Sequence, residues 1–204
     1  MTIQQNTGKM EPEHEKEVAR MALPQETLQT IADIDALPEG TKAELIDGRL
    51  FFDTAPTLTH QDIVGFLHGT IWSYIRVKGG KCKVFISPID VQLNADDIYN
   101  LVQPDVAVVC DRDKLSDGKR CKGAPDWIME VVSPSTENRD YIRKLGKYNA
   151  AGVREYWIVD PNHDRVVVYN LEAGGAFEQP KTLKDKVPVN IYPGFEIDFS
   201  QLKL

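Results

Sequence analysis

Apolar positions along this chain fall into two rhythms, and the switches between them mark out the elements. Val64, Leu67, Ile71 and Ile75 recur at helical spacing. They predict a long helix over residues 59–78, with Thr59 as its cap, Asp62 near the positive N-terminal end and Gly79-Gly80 as its stop. Ile31, Ile34 and Leu37 predict a shorter helix over 27–37, closed by Pro38-Glu39-Gly40. Between the two, residues 43–52 read as a hairpin turned by Asp47-Gly48, a strong type I′ signal. Short apolar runs predict strands at 82–86, 90–93, 104–110 and 127–132. A second long helix is expected over 137–151, capped by Ser135 or Thr136 and ended by Gly152. Strands at 156–159 and 165–169 form a hairpin, and two short strands are expected near 186–191 and 196–199. Helices set among strands in this order predict an α/β or α+β fold, a mixed sheet with helices on its faces.

Composition narrows the class. Residues 1–23, rich in Gln, Glu and Lys, are expected to form a flexible tail, leaving 24–204 as a single domain whose 42% hydrophobic share suffices for a core. No stretch approaches the ~18 apolar residues that span a bilayer. The N-terminal residues lack the apolar segment of a secretory signal, so a cytoplasmic protein without a membrane partner is expected. Cys82, Cys110 and Cys121 are odd in number and show no Cys-x-x-Cys spacing, which predicts neither a disulfide scaffold nor a zinc site. The net charge of -7 opposes general nucleic-acid binding. Charge can still be local: the basic segments 112–122 and 139–147 are candidates for phosphate contact, or else ordinary solvated surface.

The informative chemistry is a glutamate out of place. Glu130 interrupts the apolar run Trp127-Ile128-Met129-Glu130-Val131-Val132. A carboxylate inside a buried strand is costly unless it is paired or coordinates a cation. Asp105 heads another apolar run, and alternation groups it with Ala107 and Val109, as it groups Glu130 with Ile128 and Val132. If the two strands pair, both carboxylates can supply oxygen ligands to one Mg²⁺ or Mn²⁺, an ion that keeps waters exchangeable for phosphate. The alternative is a strand-end cap at Asp105 and a buried Lys or Arg beside Glu130. On the following helix, Asp140, Lys144 and Tyr148 stand at i, i+4 and i+8, so Lys144 can reach over the carboxylates. There it could hold an attacking water or neutralise a phosphoryl transition state; otherwise Asp140–Lys144 is a solvated pair. Lys147 should face elsewhere.

Weaker positions complete the set. Glu44 could add a carboxylate but reads slightly better as an exposed strand acid. His60 and Gln61 open the long helix, whose backbone N–H groups can bind an anion, although a histidine there is more commonly a packing or hydrogen-bonding residue. Ser133-Pro134-Ser135-Thr136 lacks a Gly-x-Ser-x-Gly setting and reads as a turn and cap, not as a nucleophile.

Taken together, Glu44-Leu45-Ile46-Asp47-Gly48, Thr59-His60-Gln61, Pro104-Asp105 and Glu130-Val131-Val132-Ser133-Pro134-Ser135-Thr136 resemble the Uma family of restriction-endonuclease-like proteins. Arg139-Asp140, Lys144, Tyr148, Gly152-Val153, Glu155-Tyr156-Trp157 and Val159-Asp160-Pro161 extend the likeness over roughly residues 25–175. The resemblance implies the PD-(D/E)xK nuclease core, a four-stranded mixed sheet flanked by helices, here with added hairpins. Pro104-Asp105 stands at the "PD" element and Glu130 at the "(D/E)" element. The strand lysine is replaced by Val132, and the Uma-like pattern puts a lysine on the next helix, where Lys144 stands. The implied function is a Mg²⁺- or Mn²⁺-dependent DNA endonuclease. Asp105, Glu130 and Lys144 would be catalytic, Asp105 and Glu130 would hold the metal, and Glu44, His60, Gln61, Asp140 and Tyr148 would assist. DNA is the expected partner, and a homodimer would suit cutting both strands. The alternative is a catalytically inactive DNA- or protein-binding module that retains the fold.

Overall fold

The computed structural model describes residues 27–133 and 137–202. The expected tail over 1–23 and the expected helix caps Ser135 and Thr136 lie outside them. Helix α1 (Ile31–Asp35) is shorter than its apolar stripe suggests. It starts at Thr30, whose backbone N–H and hydroxyl both donate to Asp33, at 2.6 and 2.9 Å. Strands β1 (Ala43–Ile46) and β2 (Arg49–Phe52) form the expected hairpin. Asp47 (φ 51°) and Gly48 (φ 72°) supply the two left-handed residues that a type I′ turn requires. Helix α2 (Leu58–Val77) is capped by Thr57, not by the expected Thr59. The Thr57 hydroxyl accepts from the His60 N–H at 3.2 Å, and Thr59 lies inside the first turn.

The chain then runs through β3 (Lys83–Ile86), β4 (Val91–Gln92), β5 (Val106–Val109), β6 (Cys121–Lys122) and β7 (Trp127–Val131). A wide π-helical segment, Arg139–Lys144, leads into α3 (Leu145–Ala151), which ends at Gly152 with φ 80°. Strands β8 (Glu155–Asp160), β9 (Arg165–Asn170), β10 (Lys181–Leu183), β11 (Lys186–Pro188) and β12 (Glu196–Asp198) follow. The central sheet has the order β10-β9-β8-β7-β5-β3. Only β7 and β8 pair in parallel within it, which is why a helical crossover has to join them. The mixed sheet flanked by helices agrees with the fold class expected from the sequence. Strand β10 was not expected; its Lys181 and Thr182 are exposed at the sheet edge and carry no apolar signal.

Alternation divides the core. Trp127, Met129 and Val131 face α2, where Ile63, Leu67 and Ile71 cover them. Ile128 and Val132 face the other way, with Tyr148, Tyr156 and Ile158. The expectation of a chain without disulfides is corrected. Cys82 and Cys110 flank β3 and β5, whose register pairs Lys83 with Val109, and they form a disulfide with Cα atoms 3.9 Å apart. Cys121 is left free and buried, and burial pushes its thiol up to about 11. Among the described residues no helix is long and apolar enough to cross a membrane.

Candidate active site

Strands β5 and β7 pair with Val106 opposite Met129, so one step outward Asp105 stands opposite Glu130. Both are buried, at 8% and 2% exposure, on the wall of a cleft of about 700 Å³. Each carboxylate is fixed by its neighbour's backbone. Asp105 Oδ2 accepts from the Val131 N–H at 2.9 Å, and Glu130 Oε2 accepts a longer bond from the Asp105 N–H at 3.4 Å. His60, at the start of α2, brings Nε2 to 3.1 Å from Asp105 Oδ2. Gln61 is exposed and does not join the cleft.

Lys144 reaches the site from the end of the π-helical segment. Its Nζ lies 2.9 Å from Glu130 Oε1, 2.8 Å from Glu44 Oε1 and 3.5 Å from Asp140 Oδ1. The solvated-pair alternative for Asp140 and Lys144 is therefore excluded, since both are 2% exposed. An α-helix advances about 100° per residue, so Asp140 and Tyr148 would diverge by about 80°; the wider i→i+5 turn advances less per residue and brings them back into line. The Tyr156 hydroxyl donates to the Asp140 carbonyl in that turn at 3.0 Å. Tyr148 donates its hydroxyl to Glu130 Oε1 at 2.6 Å. Lys147, as expected, points away and pairs with Asp47 at the hairpin turn.

Glu44 corrects the reading of an exposed strand acid: it is fully buried. It lies behind the cleft wall, where the docking of β1 through the Leu45–Leu101 bridge brings it to Lys144 and Arg139. Its Oε1 also accepts from the Gln103 N–H at 2.7 Å, and its Oε2 lies 3.3 Å from Arg139 Nε. Arg139 in turn holds Asp53 at 2.5 Å. Val132, at the position of the usual strand lysine, packs in the core with Tyr148 and Ile158.

Electrostatically the site is short of positive charge. Four buried carboxylates (Glu44, Asp105, Glu130 and Asp140) surround Lys144, with Arg139 behind them. Burial, followed by the charges of Asp140, Asp105 and Glu44, pushes Glu130 up to about 8 even though Lys144 opposes the shift. Asp105 is held below the usual carboxylate range: burial would raise it, but His60, Lys144 and the Val131 N–H outweigh that. The carboxylates hold the Lys144 ammonium well above its ordinary value against the cost of burial. Burial and the adjacent acids likewise keep the Tyr148 phenol protonated.

The donor set fits a hard divalent cation. Among the described residues no hydrogen bond reaches Asp105 Oδ1, and Glu130 Oε2 has only the long one. Two opposed carboxylates in a site with surplus negative charge match Mg²⁺ or Mn²⁺, which need few protein ligands. Among the described residues no cluster of three His, Cys, Asp or Glu side chains forms a closed metal cage.

A family model, Uma2, described as a putative restriction endonuclease, matches residues 28–203. The chain belongs to the Uma2 family. The Uma2 fold is also found in a crystal structure of a putative nuclease belonging to DUF820 from Anabaena variabilis. It superposes with a TM-score of 0.68 at 19% identity, covering 85% of this chain and 97% of that one. At that identity the likeness concerns the fold alone. No curated protein matches.

Sequence reasoning missed three parts of this Uma2 site. Arg139 was grouped with a surface charge cluster, yet it is tied to Glu44 and Asp53. Asp53 and Gln103 carry no distinguishing signal, because only the fold brings Asp53 to Arg139 and the Gln103 backbone to Glu44. The basic segment 139–147 is also not a free phosphate patch. Its Lys144 and Lys147 hold acids, and Arg143 lies 5.3 Å over the Phe51 ring. In segment 112–122, Lys119 and Arg120 share Asp35, and Lys122 holds Asp117.

Proposed function

We propose that this Uma2 chain hydrolyses phosphodiester bonds in DNA, with Mg²⁺ or Mn²⁺ held by Asp105 and Glu130. The observation that carries the reading is the register of β5 and β7, which opposes two buried carboxylates on a cleft wall with Lys144 2.9 Å from one of them. A divalent ion bound there would polarise the scissile phosphate and lower the pKa of a bound water. The chain's own groups have separate tasks. The Val131 N–H and His60 orient Asp105 so that Oδ1 stays available. Tyr148 and Lys144 hold Glu130 by Oε1, which leaves Oε2 as its weakly bonded atom.

Lys144 remains an ammonium, so its role is to donate hydrogen bonds to an attacking water or to the charge developing on the phosphoryl oxygens. It does not take up a proton. Its 3.5 Å contact with Asp140 is the longest of three and the easiest to exchange. Glu44, anchored by the Gln103 N–H, keeps the lysine aimed at the cleft. Cutting both strands of a duplex suits a two-fold homodimer of this chain.

The test is a plasmid nicking assay with Mg²⁺ or Mn²⁺, with and without chelator. Metal-dependent cutting that disappears in Glu130→Gln supports the reading. Equal cutting by wild type and Glu130→Gln identifies a contaminant and ends it.

A further inference from the structure

The cleft continues into two further cavities. A cavity of about 770 Å³ shares Lys42 and Gln103 with it, and one of about 310 Å³ shares Lys83 and Phe85 with the second. The three form one path from the carboxylates, across the edge strand β3, to the outer side of α2. Strand β3 ends the sheet on this side, so nothing in the sheet covers its outer edge.

Beyond the carboxylate cleft, charge along this path is opposite to that of the whole chain. Among the described residues Asp90 is the only acid lining the second and third cavities, and it is held by Gln103 at 2.8 Å with Arg120 at 4.0 Å. Lys119 and Arg120, which also line the second cavity, are held by Asp35, but the other cations beyond the cleft are uncommitted to acids. Among the described residues Lys42, Lys83 and Arg76 have no carboxylate partner, and Arg112 donates only to the Lys81 carbonyl. At the far end Trp72 is 50% exposed on α2, with the Arg76 guanidinium 5.3 Å from its ring centre. Phe85 lines both cavities midway. Cations that follow a backbone, alternating with rings on which bases can stack, are the components of a single-strand site. Duplex DNA offers phosphates but keeps its bases stacked inside, so it has no use for the exposed indole.

We infer that the groove over β3, from Lys42 through Lys83 and Phe85 to Arg76 and Trp72, binds a single-stranded DNA arm leading away from the scissile phosphate. The inference deepens the nuclease reading and rests on it for the position of that phosphate. The preferred substrate is a duplex with an unpaired arm, not a blunt duplex. The arm's phosphates meet Lys42 and Lys83, and its bases stack on Phe85 and Trp72.

Binding is measured by fluorescence anisotropy in chelator, so that no cutting is needed, on a labelled hairpin duplex that is blunt or carries a ten-nucleotide arm at either end. The armed duplex should bind at least about fivefold tighter, the value of one stacked base. Trp72→Ala should remove that preference and Trp72→Phe should keep part of it. Lys83→Glu, on the surface and away from the core, should weaken armed more than blunt DNA. Lys83→Ala should flatten the salt dependence for the arm by about 0.7 in slope. Equal binding of armed and blunt duplexes by wild type overturns the proposal, as does an undiminished preference in both Trp72→Ala and Lys83→Glu. The nuclease reading fails separately. An arm preference with no metal-dependent cutting leaves the groove standing without the enzyme, and metal-dependent cutting without an arm preference removes the groove alone.

Discussion

The two faces of β7 solve the same problem by opposite means. On one face Trp127 and Met129 are buried against α2 and the second tryptophan, Trp157, whose ring lies 4.7 Å from that of Trp127. Each of these side chains is stabilised by the removal of its own apolar surface from water, independently of any single partner. On the other face Glu130 is buried equally deeply but is tolerated only through Lys144 and Tyr148. The dry face is additive and the charged face is mutual. A residue can be subtracted from the first at a local cost, whereas deletion on the second strands its partners in a low-dielectric setting.

That contrast is sharpest in activity. Glu130→Gln should reduce metal-dependent cutting to background while leaving the thermal midpoint of the metal-free protein at or above that of wild type, because the amide replaces a carboxyl group that burial already keeps largely protonated. A large drop in the midpoint would mean that the charged face also supports the fold. Lys144→Met should slow cutting by ~10²–10⁴-fold, read in single-turnover assays. It should also cost about 3–5 kcal/mol in urea titration, because four carboxylates lose their central cation. Trp127→Ala should cost a similar ~3–5 kcal/mol on the dry face. The folded fraction should still bind Mn²⁺ with wild-type affinity, and a weakened affinity would show that the two faces are coupled.

A smaller effect concerns pH. In metal-free protein Glu130 is raised to about 8 from an ordinary 4.5. The folded state therefore holds its proton more tightly than the unfolded chain does. The stability linked to it is complete below about 4.5 and is lost as pH rises through about 8. Calorimetry in chelator should show the midpoint falling between about pH 4.5 and 8, and Glu130→Gln should flatten that fall. The smallest effect belongs to Lys147, whose pairing with Asp47 lies at the surface. Lys147→Ala should change stability by about 0–1 kcal/mol and leave cutting as it was.

The charged face was partly legible in the chain. Period-two alternation grouped Glu130 with Ile128 and Asp105 with Ala107, and the i, i+4, i+8 stripe chose Lys144 over Lys147. Both are short-range rules; the first holds because β5 and β7 are regular, the second because a π-helical turn realigns the stripe. The misses come from long-range or irregular structure. Glu44 depends on how the β1–β2 hairpin docks through Leu45 and Leu101, which no local pattern encodes. The Cys82–Cys110 pairing depends on the β3–β5 register, while the odd cysteine count pointed the other way. The π-helical turn at Arg139–Lys144 has no apolar signature, although it is what aligns the stripe. Among the cations, most of the clustered ones are held by acids, Arg112, Lys114 and Arg143 excepted, whereas the isolated Lys42 and Lys83 are open.

The docking of Glu44 also sets a time order. Its anchor, Gln103, lies 59 residues along the chain, and Lys144 arrives from still further on. Loop closure over such distances is slow compared with forming either the hairpin or the α2 helix. The hairpin exists early as a local unit, but its glutamate meets the lysine only when the last long-range contacts close. Until then both side chains remain hydrated and the carboxylates lie apart. The carboxylate cleft is thus a property of the finished chain.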